Sequence, residues 1–321
     1  MPDPQVVASL HESTPTRRHL WWAAVKWPMY AVAVMPVLLA AGWRFGAGLP
    51  VSRVHLAGFL LAAVLLLAWE NLANDVFDAR TGVDGEAKPH SLVALTGAAA
   101  SVALWSNACL LLGLALMLTL ALTSSLQVFW LVLGCCGLGY LYQGPPFRLA
   151  YRGLGEPLCW LAFGPLATAA GLMVLDPQAH GTAIPWRPAL ELGSGPALAT
   201  SLVLFCSHFH QVASDAAHGK RSPVVRLGTG RAAALVPWFI ALTLALEWAP
   251  VLAGHWPLTA LATVVALPAG SGLIRLLRLH HRQPERITDS KFLALRFQTL
   301  NGLALSLGLA LAPWSPQLLR P

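Results

Sequence analysis

Apolar runs of about 20 residues follow one another along almost the whole chain, separated by short polar segments. A run of that length is what a helix needs to cross a bilayer. Inside the hydrocarbon layer the backbone must satisfy its own hydrogen bonds, so each run is expected to be helical. The pattern predicts an all-α polytopic membrane protein with nine transmembrane helices around a central cavity. The expected spans are 20–43, 54–79, 98–121, 124–144, 153–175, 196–218, 232–253, 256–279 and 292–312. Only the turn Thr123–Ser125 separates the third from the fourth. Residues 1–19 read as a polar N-terminal tail with Arg17 and Arg18 before the first run, unlike a cleaved secretory signal. Residues 20–321 read as one nine-helix domain.

Charge adds an orientation. Of the 21 Lys and Arg, all but Arg44, Arg53, Arg187 and Arg320 fall in or next to the N-terminal tail and the loops after spans 2, 4, 6 and 8. Basic residues gather on the cytoplasmic face of membrane proteins, so the N-terminus is expected to be cytoplasmic. The net charge of +7 needs no nucleic acid to explain it, because the basic residues sit at helix ends, where topology and anionic lipid account for them. Composition agrees: 56% of residues are hydrophobic and 11% charged, with a mean hydropathy of +0.61. The five cysteines, Cys109, Cys135, Cys136, Cys159 and Cys206, all lie in apolar runs without a CxxC pair. They read as small core residues rather than a disulfide framework or zinc site.

The carboxylates break the pattern. The chain has only 14 acids, yet Glu70, Asp75, Asp78, Asp84 and Glu86 crowd the end of span 2, in and after "NLANDVFDARTGVD". At 100° per residue, Asn71, Asp75 and Asp78 fall within about 60° of one another on a helix. Gly82 is the expected stop. Carboxylates at a helix C-terminus face the negative end of its dipole and repel one another. Solvation is the ordinary answer to such a cluster; a divalent cation is the alternative, and oxygen-only ligands suit Mg²⁺ better than zinc or copper.

A second polar stretch follows span 6: "HFHQVASDAAHGKRSPVVRLGTG", His208–Gly230. On a continuous helix His208, Gln211 and Asp215 also share a face about 60° wide, with Gly219 as the stop. His208 and His210, about 200° apart on a helix, cannot both hold one ion and read as packing or hydrogen-bonding residues. Both stretches run acid, then base (Lys88; Lys220 and Arg221), then "SLVALTG" or "SPVVRLGTG", a faint echo of two related halves. Acids able to hold Mg²⁺ beside bases able to hold phosphate oxygens fit a diphosphate, and a cavity open to the bilayer fits a lipid tail on it.

These residues resemble the UbiA superfamily of intramembrane aromatic prenyltransferases, and "NDxFDxxxGVD" is similar to its naphthoate branch. "KPHSLVALTG", "YQGPPFRLAYRGLGEPLCWLAFGPLA" and "FCSHFHQVASDAAHGKRSPVVRLGTG" resemble the phylloquinone subgroup, so the likeness covers nearly the whole chain from span 1 onward. It implies transfer of a phytyl or other prenyl group from its diphosphate to 1,4-dihydroxy-2-naphthoate with loss of carbon dioxide, a step towards phylloquinone or menaquinone. It further implies Mg²⁺ on Asp75 and Asp78, with Asn71 supporting and Asp84 as a later acid, and a second Mg²⁺ on Asp215. Lys88, Lys220 and Arg221 would grip the diphosphate, and Tyr142 and Arg148 would stand near the ionising bond. Aromatic faces such as Tyr140, Tyr142 or Trp69 would stabilise an allylic cation. The chain departs from the pattern at Gln211, where many members carry a second Asp, so its second metal site has fewer charges. The active-site loops would face the cytoplasm from a plasma or thylakoid membrane.

Other readings stand beside this one: a homogentisate or chlorophyll-type acceptor, a binding protein without turnover, or a transporter, since intramembrane acids often mark ion pathways. Glu156 reads equally as an acceptor contact or as a partner for local polar groups. Trp21, Trp22, Trp43, Trp186, Trp256 and Trp314 are expected to form an interfacial belt.

Overall fold

The computed structural model describes residues 17–82, 91–176 and 180–313. Among these residues there is no strand, and nine helices are long and apolar enough to cross a membrane.

The first span is not continuous as expected. Helix α1 (Arg17–Val25) stops at Lys26, which adopts a left-handed φ of 54°. A 3₁₀ turn, Trp27–Tyr30, containing Pro28 leads into α2 (Ala31–Gly46). Pro28 has no backbone N–H to donate, so a regular helix through this point would lose a bond. The break leaves Lys26 facing the acidic end of span 2.

Helix α3 (Arg53–Thr81) begins where the Ser52 side chain accepts from His55 N–H at 3.3 Å. It ends at Gly82, whose φ of 77° suits glycine, as the sequence predicts. Its 29 residues span about 43 Å at 1.5 Å per residue, more than the ~30 Å of hydrocarbon, so its last turns carry the acids beyond the apolar layer. The one-turn helix α4 (Leu92–Thr96), α5 (Ala99–Leu122) and α6 (Leu126–Gln143) follow. In α7 (Gly155–Val174) a π turn at Ala162–Leu166 accommodates Gly164 and Pro165.

The sixth span corrects the expected boundaries. Helix α8 runs Trp186–Ser207 rather than 196–218. It starts earlier because Arg187 and Glu191, one turn apart and 3.4 Å from each other, pair on its first turns despite their polarity. It ends earlier because His208–Gln211 is a turn, and α9 (Val212–Ala217) is a separate short helix. His208, Gln211 and Asp215 therefore do not share one continuous helical face. Beyond them lie α10 (Pro223–Leu227), α11 (Thr229–Leu252), α12 (Leu258–His280, opening as 3₁₀) and α13 (Ser290–Leu311).

Large apolar side chains such as Leu104, Trp105, Trp130, Trp238 and Leu252 point outward, the arrangement expected against lipid. Inside, helices meet through small residues. A Cβ at Gly42 would collide with the Ser306 carbonyl oxygen, and one at Gly308 with that of Thr259. Trp21, Trp22 and Trp186 are exposed, but Trp43 and Trp256 are core residues, only 2% and 3% exposed, because they lie on inward faces of their span ends. Trp314 lies outside the described residues. All five cysteines are free thiols; Cys136 and Cys206 are buried and the others half-buried. Deep in the bundle, fully buried Glu247 accepts from Asn301 Nδ2 at 2.9 Å, tying α11 to α13.

Candidate active site

A cavity of about 220 Å³ lies between α2, α3, α6, α7 and α8. Val32, Phe59 and Leu66 contribute to its apolar wall; Glu70, Asn71, Asn74 and Tyr142 contribute polar groups. Trp69 also lines it, whereas Tyr140 does not: the residue is 41% exposed and its hydroxyl donates to Pro145 O at 2.7 Å. Of the expected aromatic faces, Trp69 and Tyr142 remain.

The end of α3 orders the first set of acids. Asp75 is 3% exposed; one oxygen lies 2.9 Å from Lys26 Nζ and the other accepts Leu92 N–H at 3.0 Å. Asp78 is 4% exposed and accepts from Gln143 Nε2. Asn71 lines the cavity, its Nδ2 buried without a hydrogen-bond partner among the described residues. Asp84 and Lys88 lie outside the described residues.

The second set is built on the turn after α8. His208 Nδ1 lies 3.1 Å from Asp215 Oδ2, and its Nε2 lies 3.8 Å from Glu156 Oε1. Lys220 Nζ lies 3.4 Å from Asp215 Oδ1. All four side chains are at least nine-tenths buried. Burial alone pushes the Asp215 carboxyl up, but the His208 hydrogen bond and the Lys220 charge outweigh it and hold the group below its usual value. Gln211 caps α9, accepting Asp215 N–H through its backbone carbonyl at 2.7 Å. The expected stop at Gly219 is present, with φ 72°.

Tyr151 joins the two sets. Its hydroxyl is 3.1 Å from Thr81 Oγ1 at the end of α3, and its carbonyl accepts Arg221 N–H at 2.9 Å. Both polar stretches therefore meet at one end of the bundle. Arg148, in a left-handed conformation (φ 44°), holds its guanidinium 5.9 Å from the Tyr151 ring centre. Arg148 is not among the residues lining the cavity, whereas Tyr142 is. The sequence echo also has a structural form: α4 and α10 are each one-turn helices preceded by a Ser, Ser91 or Ser222, and ended by a positive-φ Gly, Gly97 or Gly228.

Sequence reasoning missed Lys26, Gln143, Glu70 and Asn74. Lys26 carried a signal, since it is the one charge inside the first apolar run. Gln143 carried none beyond being a polar residue at a span end. Among the described residues, no three His, Cys, Asp or Glu side chains converge as a ready-made metal site. The donors at the end of α3 are oxygen groups, the kind a hard divalent cation takes; a cation at Asp75 would displace the Lys26 ammonium that now pairs with that carboxylate.

An all-helical bundle with outward apolar side chains and polar groups gathered at one end defines an integral membrane protein. The chain belongs to the UbiA prenyltransferase family, whose profile matches residues 27–314. It is 38% identical over 303 residues to the 2-carboxy-1,4-naphthoquinone phytyltransferase of Synechocystis sp., covering 92% of this chain and 94% of that one. It is 39% identical over 300 residues to the chloroplastic 2-carboxy-1,4-naphthoquinone phytyltransferase of Arabidopsis thaliana, covering 92% and 78%. The solved structure of a UbiA homolog from Archaeoglobus fulgidus bound to GPP and Mg²⁺ has the same fold, with a TM-score of 0.56 at 18% identity, over 89% of this chain and 99% of that one.

Proposed function

We propose that the protein transfers a phytyl group from phytyl diphosphate to 1,4-dihydroxy-2-naphthoate, with loss of carbon dioxide. The observation that carries the reading is the meeting of two acid-and-base stretches, joined through Tyr151, at one end of the bundle beside an apolar cavity. The relatives from Synechocystis and Arabidopsis narrow it to the phytyl donor and the naphthalene acceptor. Their names give the acceptor as the quinone. The reduced dihydroxy form is the electron-rich one, and it is the form that attacks.

In this reading Asp75 and Asp78, with Asn71 and Asp84, would hold one Mg²⁺, and Asp215, with Gln211, would hold a second; a metal there would supply positive charge to the leaving diphosphate. Lys220, Arg221 and Lys88 bind the remaining phosphate oxygens, and Arg148 stands near the ionising bond. The His208 bridge fixes the Asp215 carboxylate, and the Tyr142 and Trp69 rings face the allylic carbon. The carbon–oxygen bond to diphosphate breaks. The ring carbon bearing the carboxylate forms the new carbon–carbon bond; its bond to the carboxylate then breaks, carbon dioxide leaves, and that electron pair returns to the ring and restores its aromaticity, with no ring proton to remove.

The site loops face the cytoplasm, or the corresponding side of a thylakoid membrane, in keeping with the Lys and Arg bias. The protein in detergent, given phytyl diphosphate and in turn dihydroxynaphthoate, homogentisate, 4-hydroxybenzoate or a chlorophyllide, is expected to form only the decarboxylated phytyl naphthalenediol, read by mass. Product from a different acceptor alone would overturn the pathway while keeping the reaction class.

A further inference from the structure

Glu70 is the carboxyl that lines the cavity, and diphosphate chemistry leaves it unused. It lines the cavity beside Cys135, Cys136, Gly139 and Tyr142. Among the described residues it has neither a hydrogen bond nor an ion pair, although it stands in a largely apolar wall. A carboxyl in that setting is unfavourable unless something supplies a hydrogen bond. Gly139 on α6 keeps the space in front of it open: a Cβ there would lie 3.4 Å from Glu70 Oε2.

Depth separates Glu70 from the diphosphate. It precedes Asp75 by five residues of one continuous helix, which places it about 7.5 Å further along the axis, towards the bilayer interior. A hydrocarbon tail at that depth offers nothing to a carboxyl. A flat aromatic molecule with a ring hydroxyl does, because its body matches the apolar wall and its hydroxyl can donate to the Glu70 carboxyl.

We propose that Glu70 hydrogen-bonds a ring oxygen of the aromatic acceptor, and by that contact orients the ring so that the reacting carbon faces the donor. The inference rests on the aromatic-acceptor reading above and assigns its acceptor contact to this residue. Glu70 is thereby a specificity-determining residue, distinct in role from the acids at Asp75 and Asp78.

The test uses the full chain in detergent, with Glu70→Ala and Glu70→Gln. The acceptors are 1,4-dihydroxy-2-naphthoate and its two monomethyl ethers, one at each ring hydroxyl. Wild type is expected to discriminate against one ether. Glu70→Ala loses that discrimination and raises the acceptor KM roughly 10-fold, as for a lost buried hydrogen bond. The donor KM and the Mg²⁺ dependence stay as in wild type, which also shows that the variant is folded. Glu70→Gln retains part of the discrimination. A donor KM that rises in step with the acceptor KM would overturn the assignment, as would discrimination that persists in Glu70→Ala. A wild-type protein that accepts only another aromatic ring would defeat the naphthoate reading instead. Glu70 would then be judged by the same comparison with the hydroxyl and methoxy forms of that ring.

Discussion

Single side chains set the chemistry of the site. Asp75 is held from two sides, by the Lys26 ammonium and the Leu92 N–H, so its carboxylate is fixed before any substrate arrives. Asp75→Ala removes both the charge and the anchor, and is expected to lower kcat/KM by roughly 10²-fold or more, the scale of losing one preorganised electrostatic contact. Steady-state rates over a range of Mg²⁺ concentrations check this; full activity would remove Asp75 from the site. Asp215 gives a pH prediction. Its carboxyl lies below its usual value in the folded protein, through His208 and Lys220 acting against burial. A depressed folded value contributes stability above the unfolded value of about 3.9, and that contribution disappears as pH falls through the folded value. Melting in EDTA from about pH 5 to about pH 3 is therefore expected to cost wild type more than Asp215→Asn. Equal losses would show that the pair adds nothing. Asp75 and Asp78 were legible in the sequence because helical spacing alone puts them together. Lys26 stood out as the one charge in its apolar run, but its pairing with Asp75 was not legible, because it depends on a left-handed break that the run hides.

At the scale of elements, the boundaries follow local chemistry. Gly82 and Gly219 announced the ends of their helices because positive φ suits glycine. The span at Trp186–Ser207 was misjudged at both ends: hydropathy alone discounts an Arg187–Glu191 pair, and it cannot see that the chain turns at His208. The Glu247–Asn301 bond is a second polar tie that a hydropathy pattern misses, since its two partners are 54 residues apart. Asn301→Leu leaves the Glu247 carboxyl buried without that donor and is expected to cost about 1–3 kcal/mol. The double replacement Glu247→Leu with Asn301→Leu should recover much of the loss, because the two effects are coupled. Thermal unfolding in detergent measures both, and additive losses would contradict the pairing.

At the scale of the whole molecule, the nine spans found among the described residues were readable from hydropathy, and the acids pointed to the candidate site at one end. The cavity's polar interior was not, because Glu70 and Asn74 look like ordinary members of an acidic helix end until the bundle closes around them. Orientation is also a property of the whole chain. Cysteine introduced at Arg221 is expected to react with an impermeant thiol reagent only from the cytoplasmic face, and cysteine at Gly181 only from the other. The reverse pattern would invert the topology. The central claim is that both acidic stretches serve one metal-dependent diphosphate site. It is tested most directly by binding of a non-ionising phytyl thiodiphosphate to purified protein, with Mg²⁺ or with EDTA, in wild type, Asp75→Ala and Asp215→Ala. Wild type is expected to bind it tightly with Mg²⁺, and EDTA or either substitution alone is expected to weaken binding. Binding that is unchanged in EDTA, or that ignores either Asp, would contradict it.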